Sequence, residues 1–155
     1  MHLKRAVYRK IEKLRNSCDN FELEGRLSHD NRWVVMAKLI PWLEFEQEYA
    51  SLFSSEMGAP AKSFRIALGS LIIKEKLGIS DAETVEQIKE NPYLQYFIGL
   101  SSYSNETPFD ASMLSHFRQR IKIDLVNKVN KSMVSRKEEQ TSLSPEKKTK
   151  HQKFN

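Results

Sequence analysis

The stretch KSFRIALGSLIIKEKLGISDAETVEQIKENP, residues 62–92, decides the fold class. Phe64, Ala67, Leu68, Leu71, Ile72 and Glu75 recur at three- and four-residue intervals, the spacing that lines one face of an α-helix over 62–77. Gly78 follows as the residue past the helix end, where a left-handed turn suits glycine. Ser80-Asp81-Ala82-Glu83 is a capping box, Ser with Glu three later. It starts a second helix, 81–90, that turns Val85 and Ile88 inward, with Ala82 beside them. Asn91-Pro92 stops it, because proline offers no N–H and disfavours helix in the residue before it.

Outward from this pair the helical reading continues. Downstream, Tyr93 to Leu100 is a short aromatic helix closed by Gly99, and residues 101–108 form a polar loop. Asp110 then caps a helix whose buried face is Met113, Leu114, Phe117, Ile121 and Leu125, running to about residue 135. Upstream, Asp30 caps a helix through Trp33, Val34, Ala37 and Ile40, and Pro41 resets the direction. Trp42, Phe45, Tyr49 and Phe53 mark another amphipathic helix before the loop Met57-Gly58-Ala59-Pro60. Leu3, Val7, Ile11 and Leu14 make residues 3–15 a basic amphipathic helix, while 21–29 are ambiguous. No β-alternation persists and no internal repeat is visible. The expected fold is all-α, a helical cluster with a helix-turn-helix-like three-helix core and a basic C-terminal tail. The chain divides into a basic helix and connector (1–29), a helical domain (30–135) and a linker or tail (136–155) with little to bury.

The 155 residues suffice for one domain, and 39% hydrophobic residues suffice for its core. The net charge of +5 is uneven. Residues 118–155 hold 11 Lys/Arg against 4 Asp/Glu, a net of +7, whereas 1–117 hold 14 against 16, a net of −2. Residues 1–15 set six basic side chains against Glu12. Basic ends around a near-neutral middle suit a polyanion, nucleic acid first and a membrane surface second; the bland alternative is a solvated tail. A lone cysteine, Cys18, excludes an intrachain disulfide and fits a reducing cytoplasm. No signal peptide and no apolar run of membrane-spanning length is present. The expected location is bacterial cytoplasm, at the nucleoid.

Catalytic constellations are missing from the pattern. Gly58, Gly69 and Gly78 are too scattered for a phosphate loop. His2, His29, His116 and His151 stand too far apart for ligand spacing, so no metal site is expected. Glu44/Glu48 and Glu83/Glu86 read as solvated helix faces rather than acid–base pairs. No catalytic residue and no cofactor is assigned.

The helix after Asp110 carries more information. With Phe117 inward, its outer face presents Ser112, Ser115, His116, Gln119 and Lys122, flanked by Arg118 and Arg120. Hydroxyl, amide and imidazole groups suit base edges, and guanidinium and ammonium groups suit phosphates. A merely solvated face would hold more acid, yet the first acid after Asp110 is Asp124. Ile123 and Val126 also fall on the outer side, where they pack on the N-terminal helix, form a dimer contact, or signal a bend. Tyr93, Tyr96 and Phe97 could stack bases, but beside Leu94 and Ile98 they read as core, as do Trp33 and Trp42.

From Asn31 to Ile121 the chain resembles the N-terminal domain of the insertion-sequence-five group of bacterial DDE transposases. The resemblance rests on Asn31-Arg32-Trp33-Val34, Ile40-Pro41-Trp42, Tyr49-Ala50 and Gly58-Ala59-Pro60-Ala61-Lys62. It continues through Gly69, Leu71-Ile72-Ile73-Lys74, Leu77, Ser80-Asp81 and Glu83-Thr84-Val85-Glu86-Gln87-Ile88. Further on lie Glu90-Asn91-Pro92-Tyr93-Leu94-Gln95-Tyr96-Phe97, Gly99-Leu100, Pro108-Phe109-Asp110 and Phe117-Arg118-Gln119-Arg120. The resemblance implies recognition of transposon terminal inverted repeats, with double-stranded DNA as partner. It also implies a following RNase H-like domain holding three metal-binding carboxylates; this chain is expected to stop in the linker before it, and so to bind without cutting. Two rivals stand beside that expectation: a protein-interaction module, acting in a homodimer or on the full-length transposase, and an inactive gene remnant.

Overall fold

The computed structural model describes residues 21–23, 25–53 and 62–143. The expected helix at 3–15 and the segments 54–61 and 144–155 lie outside the described residues. Among the described residues seven helices follow in order: α1 (Arg32–Leu39), α2 (Trp42–Ser51), α3 (Phe64–Leu77), α4 (Asp81–Glu90), α5 (Pro92–Phe97), α6 (Met113–Arg120) and α7 (Ile123–Leu143). Among the described residues the one β pairing is an isolated parallel bridge between Glu22 and Ser102. The fold is an all-α helical cluster.

α3 is the axle. It packs against α2, α4 and α6, while α5 bridges α4 to α1. A helix with neighbours on several sides cannot keep one apolar stripe. Accordingly Ile73 is fully buried and Arg65 and Ser70 are buried, whereas Leu71 and Ile72 are half-buried and Glu75 is exposed. At Gly69 the chain of α5 comes so close that an added Cβ would meet Ile98 Cγ2 at 3.2 Å.

The helix ends follow local chemistry. Ser63 caps α3 by accepting from the Ile66 N–H at 3.2 Å, and Glu46 of α2 accepts from the Phe64 N–H at 3.1–3.2 Å. Gly78 ends α3 in the left-handed region, at φ 61° and ψ 41°. Ser80 accepts from the Glu83 N–H at 3.1 Å and starts α4, with Val85 and Ile88 buried; Ala82 is exposed and Thr84 takes the inward place instead. Asn91 caps α5 with Pro92 in its first turn. The cap of α1 is Asn31, not Asp30: Asn31 Oδ1 accepts from the Trp33 N–H at 2.9 Å, and Asp30 accepts instead from the Ser28 hydroxyl.

Aromatic rings fill the centre. Phe97 is met edge-on by Trp33 at 5.1 Å and by Trp42 at 5.6 Å, and Phe64 lies 5.7 Å from Tyr49 and 6.3 Å from Phe45. Trp42 Nε1 donates to the Ala37 carbonyl at 2.9 Å, tying α2 to the end of α1. Both tryptophans and Tyr96 are therefore core, as their spacing suggested.

The long helix expected from Asp110 to about 135 is two helices. α6 ends at Arg120, Ile121 takes φ −93° and ψ 89°, and α7 starts at Ile123. The reason lies in the apolar spacing. Phe117, Ile121, Leu125 and Val129 are all buried, but four-residue steps drift about 40° each around a straight helix. The break re-aims the second half so that one core receives all four. α7 then runs to Leu143, so residues 136–143, read as tail from the sequence, are helical and exposed.

Candidate nucleic-acid interface

α6 is set by both of its ends. Asp110 Oδ1 accepts from the Ser112 N–H at 2.8 Å, and its carbonyl accepts from Met113 N at 2.9 Å. Asp110 thus closes the turn that leads into α6, while Ser112 occupies the cap position without a side-chain hydrogen bond to the N–H groups of the first turn. Hydrogen bonds from Ser112, side chain first and backbone second, hold the Asp110 carboxyl below its ordinary pKa. Leu114 and Phe117 lock the inner face, Phe117 meeting Phe109 edge-on at 5.5 Å.

That inner face fixes the outer one. Ser112, His116 and Gln119 are exposed together, with Ser115 half-buried beside them and donating to the Ser112 carbonyl at 3.1 Å. Four of the seven residues singled out from sequence therefore share one polar patch. Lys122 is exposed but stands in the link between α6 and α7, off the helical register assumed for it.

Arg118 and Arg120 are more engaged than a phosphate-gripping role alone requires. Arg118 donates through Nη1 and Nη2 to both carboxylate oxygens of Asp81, at 2.8 and 2.9 Å. Lys74 Nζ lies 3.5 Å from the same carboxylate. The Arg118 hydrogen bonds chiefly, opposed by desolvation and helped by the charges of Arg118 and Lys74, hold the Asp81 carboxyl below its ordinary pKa. Since Asp81 opens α4, this fork ties α6 to the turn between α3 and α4. A guanidinium has five N–H groups, so three on Arg118 stay outside the fork. Arg120 lies over the Phe53 ring at 4.7 Å and donates to the Leu52 carbonyl at 3.3 Å, pinning α6 to the end of α2.

Sequence reasoning gave Lys128 onward to diffuse attraction for a polyanion. Structure gives two of these cations definite partners: Lys128 pairs with Glu48, and Arg136 Nη2 lies 3.4 Å from Glu44. The Asp81 partner was equally invisible, being 37 residues from Arg118 and already explained as part of a capping box. Among the described residues no group of His, Cys, Asp and Glu could hold a metal ion. No helix among them is long and apolar enough to cross a membrane.

These features define a small helical domain that exposes a polar, acid-free helix face braced from two sides. The Transposase domain family (DUF772) matches residues 21–120, and the chain belongs to that family. The uncharacterized protein ORF8 in the nfe locus of Rhizobium meliloti is 38% identical over 88 residues, which is 57% of this chain and 42% of that protein. The chain thus spans less than half the length of this relative. No solved structure matches it.

Proposed function

We propose that the chain is the DNA-binding part of an insertion-sequence transposase of the insertion-sequence-five group, and that it recognises the terminal inverted repeats of its element. The observation that carries this reading is the face of α6. Residues 113–120 contain no acid, and Ser112, Ser115, His116 and Gln119 stand on its outer side. Membership of a transposase family supplies the polymer that such a face would read. The α3–turn–α4 pair with α6 against α3 serves as the helix-turn-helix-like core, and α6 is its reading helix. In that role Ser112, Ser115, His116 and Gln119 meet base edges, while Arg118, Arg120 and Lys122 meet phosphates. α4 is the poorer choice, since Glu83, Glu86 and Glu90 are exposed on it.

A gel shift comparing element-end duplex with scrambled duplex tests the reading. Gln119→Ala should cost discrimination of about 1–3 kcal/mol at one or two base pairs, and Ser115→Ala less. Lys122→Ala should weaken both duplexes by a similar factor. If folded Gln119 and Ser115 variants keep the wild-type specificity ratio, α6 is not the reading helix.

One observation favours a protein-interaction module instead. Ile123 is 68% exposed, and Val35, Leu39 and Leu43 are exposed on α1 and α2. Val126 does not support it, because it packs against the core. A concentration-dependent dimer that persists in Ile123→Ser would leave that reading without its best residue.

A further inference from the structure

α2 and α7 meet along a polar seam, two carboxylates against three donors. Lys128 pairs with Glu48, Ser132 Oγ donates to Glu44 Oε2 at 2.8 Å, and Arg136 Nη2 reaches the same oxygen at 3.4 Å. Lys128, Ser132 and Arg136 stand four apart, so they form one stripe about 12 Å long on α7. Glu44 and Glu48 form the facing row on α2, and the order of the contacts makes the two helices antiparallel there.

We propose that Glu44 and Glu48 are an internal stand-in for DNA phosphates, covering the basic stripe Lys128-Ser132-Arg136 until a duplex backbone displaces them. The proposal rests on the DNA-binding reading above and assigns it a second contact surface. An ammonium, a hydroxyl and a guanidinium are the groups that contact phosphate oxygens without reading sequence. The pairs are built to exchange. The side chains are 59% and 38% exposed in the Lys128–Glu48 pair and 50% and 47% in the Arg136–Glu44 pair. Exposed pairs of this kind are individually weak and screened by salt.

α7 need not leave the domain for the exchange. Leu125 and Val129 are buried and Val126 and Met133 are packed on the core, so the first half of α7 is anchored by apolar contact. Val134 and Leu143 beyond it are exposed. The side chains of Lys128 and Arg136 can therefore swing from carboxylate to phosphate while the backbone of α7 stays docked. The effect is a threshold: DNA of any sequence must compete with two resident carboxylates, so loose, sequence-blind binding is damped.

Duplex binding across a salt series with three double variants tests this. In Glu44→Gln/Glu48→Gln the affinity for scrambled duplex should rise about threefold to tenfold, the worth of freeing two exposed pairs. Glu86→Gln/Glu90→Gln changes net charge equally at exposed positions of α4 and should fall well short of that gain. Lys128→Ala/Arg136→Ala should lower affinity and flatten the slope of log affinity on log salt by about 1.8, about 0.9 for each lost phosphate contact. Unchanged melting temperatures verify that each variant is folded. The proposal is overturned if the α2 and α4 variants behave alike, or if the α7 variant keeps the wild-type slope. Wild-type protein without salt-dependent duplex binding would instead remove the DNA-binding reading itself, and this inference with it.

Discussion

Gln95 is 1% exposed and has every polar atom of its side chain in use. Its Nε2 donates to the carbonyls of Ile88, Lys89 and Ser104 at 2.9–3.2 Å, and its Oε1 accepts from the Ser104 N–H at 2.9 Å. It thereby closes the end of α4 and fastens the loop that leads towards α6. Gln95→Leu keeps the volume but orphans those groups, and should cost about 2–4 kcal/mol in denaturant unfolding. Arg65 does the same for α5, donating to the Phe97 and Tyr96 carbonyls at 3.0 and 2.8 Å between the rings of Trp42 and Tyr96. Gly99 makes room for it, at φ 88°, where an added Cβ would stand 2.8 Å from Arg65 Cδ. Asp81 differs because it is partly exposed. Its folded carboxyl titrates below its ordinary value, so its stabilisation is complete above about pH 4 and is lost as pH falls through the depressed value. Asp81→Asn should lower stability by only about 0.2–1 kcal/mol near neutral pH. Thermal melts should show the wild-type advantage shrinking below about pH 4; an advantage that grows on acidification would mean the Arg118 fork is not its source.

At the scale of elements, the legible parts were those governed by neighbours in sequence. Gly78, Ser80 with Glu83, and Asn91-Pro92 act within a turn of where they stand, and the ends of α3, α4 and α5 fall where these residues put them. Asp30 and Asn31 are both good caps, so local chemistry could not choose between them; the geometry chose Asn31. The break at Ile121 depended on where the core lies, which no single helix encodes, although Ile123 and Val126 on the wrong side hinted at it. The α6 face was legible because one buried stripe, Leu114 and Phe117, fixes its opposite. Its braces were not, because Asp81 and Phe53 come from distant elements. Phe117 carries much of the docking of α6, buried to 2% against Phe109. Phe117→Ala should cost about 3–5 kcal/mol, a large share of the 5–15 kcal/mol typical of a domain. Chemical denaturation measures it; a loss under 1 kcal/mol would mean that α6 is held by Arg118 and Arg120 instead.

For the whole molecule, the informative quantity is where charge lies and how much of it is already used. The +7 of residues 118–155 is legible in the sequence; that Arg118, Lys128 and Arg136 already face carboxylates is not, since their partners are 37 to 92 residues away. Packing decides which cations are available, and the charge sum does not. The last expectation follows from that distinction. Each phosphate neutralised releases condensed counterions, so log affinity falls with log salt at about −0.9 per contact. Four to seven contacts give a slope of about −4 to −6. Besides Arg118, Lys128 and Arg136, residues 118–155 hold eight more Lys/Arg, so the wild-type slope alone does not tell which cations meet phosphate; the loss of slope in Lys128→Ala/Arg136→Ala does. A salt titration on scrambled duplex measures the slope without any contribution from base reading. A value near −4 to −6 supports binding through four to seven phosphates, and a slope flatter by about 1.8 in Lys128→Ala/Arg136→Ala supports exchange of partners on binding. A slope flatter than about −2 would leave the basic residues as a solvated, internally paired surface, and would move the weight of the argument to the exposed apolar residues Ile123, Val35 and Leu39 and a protein partner.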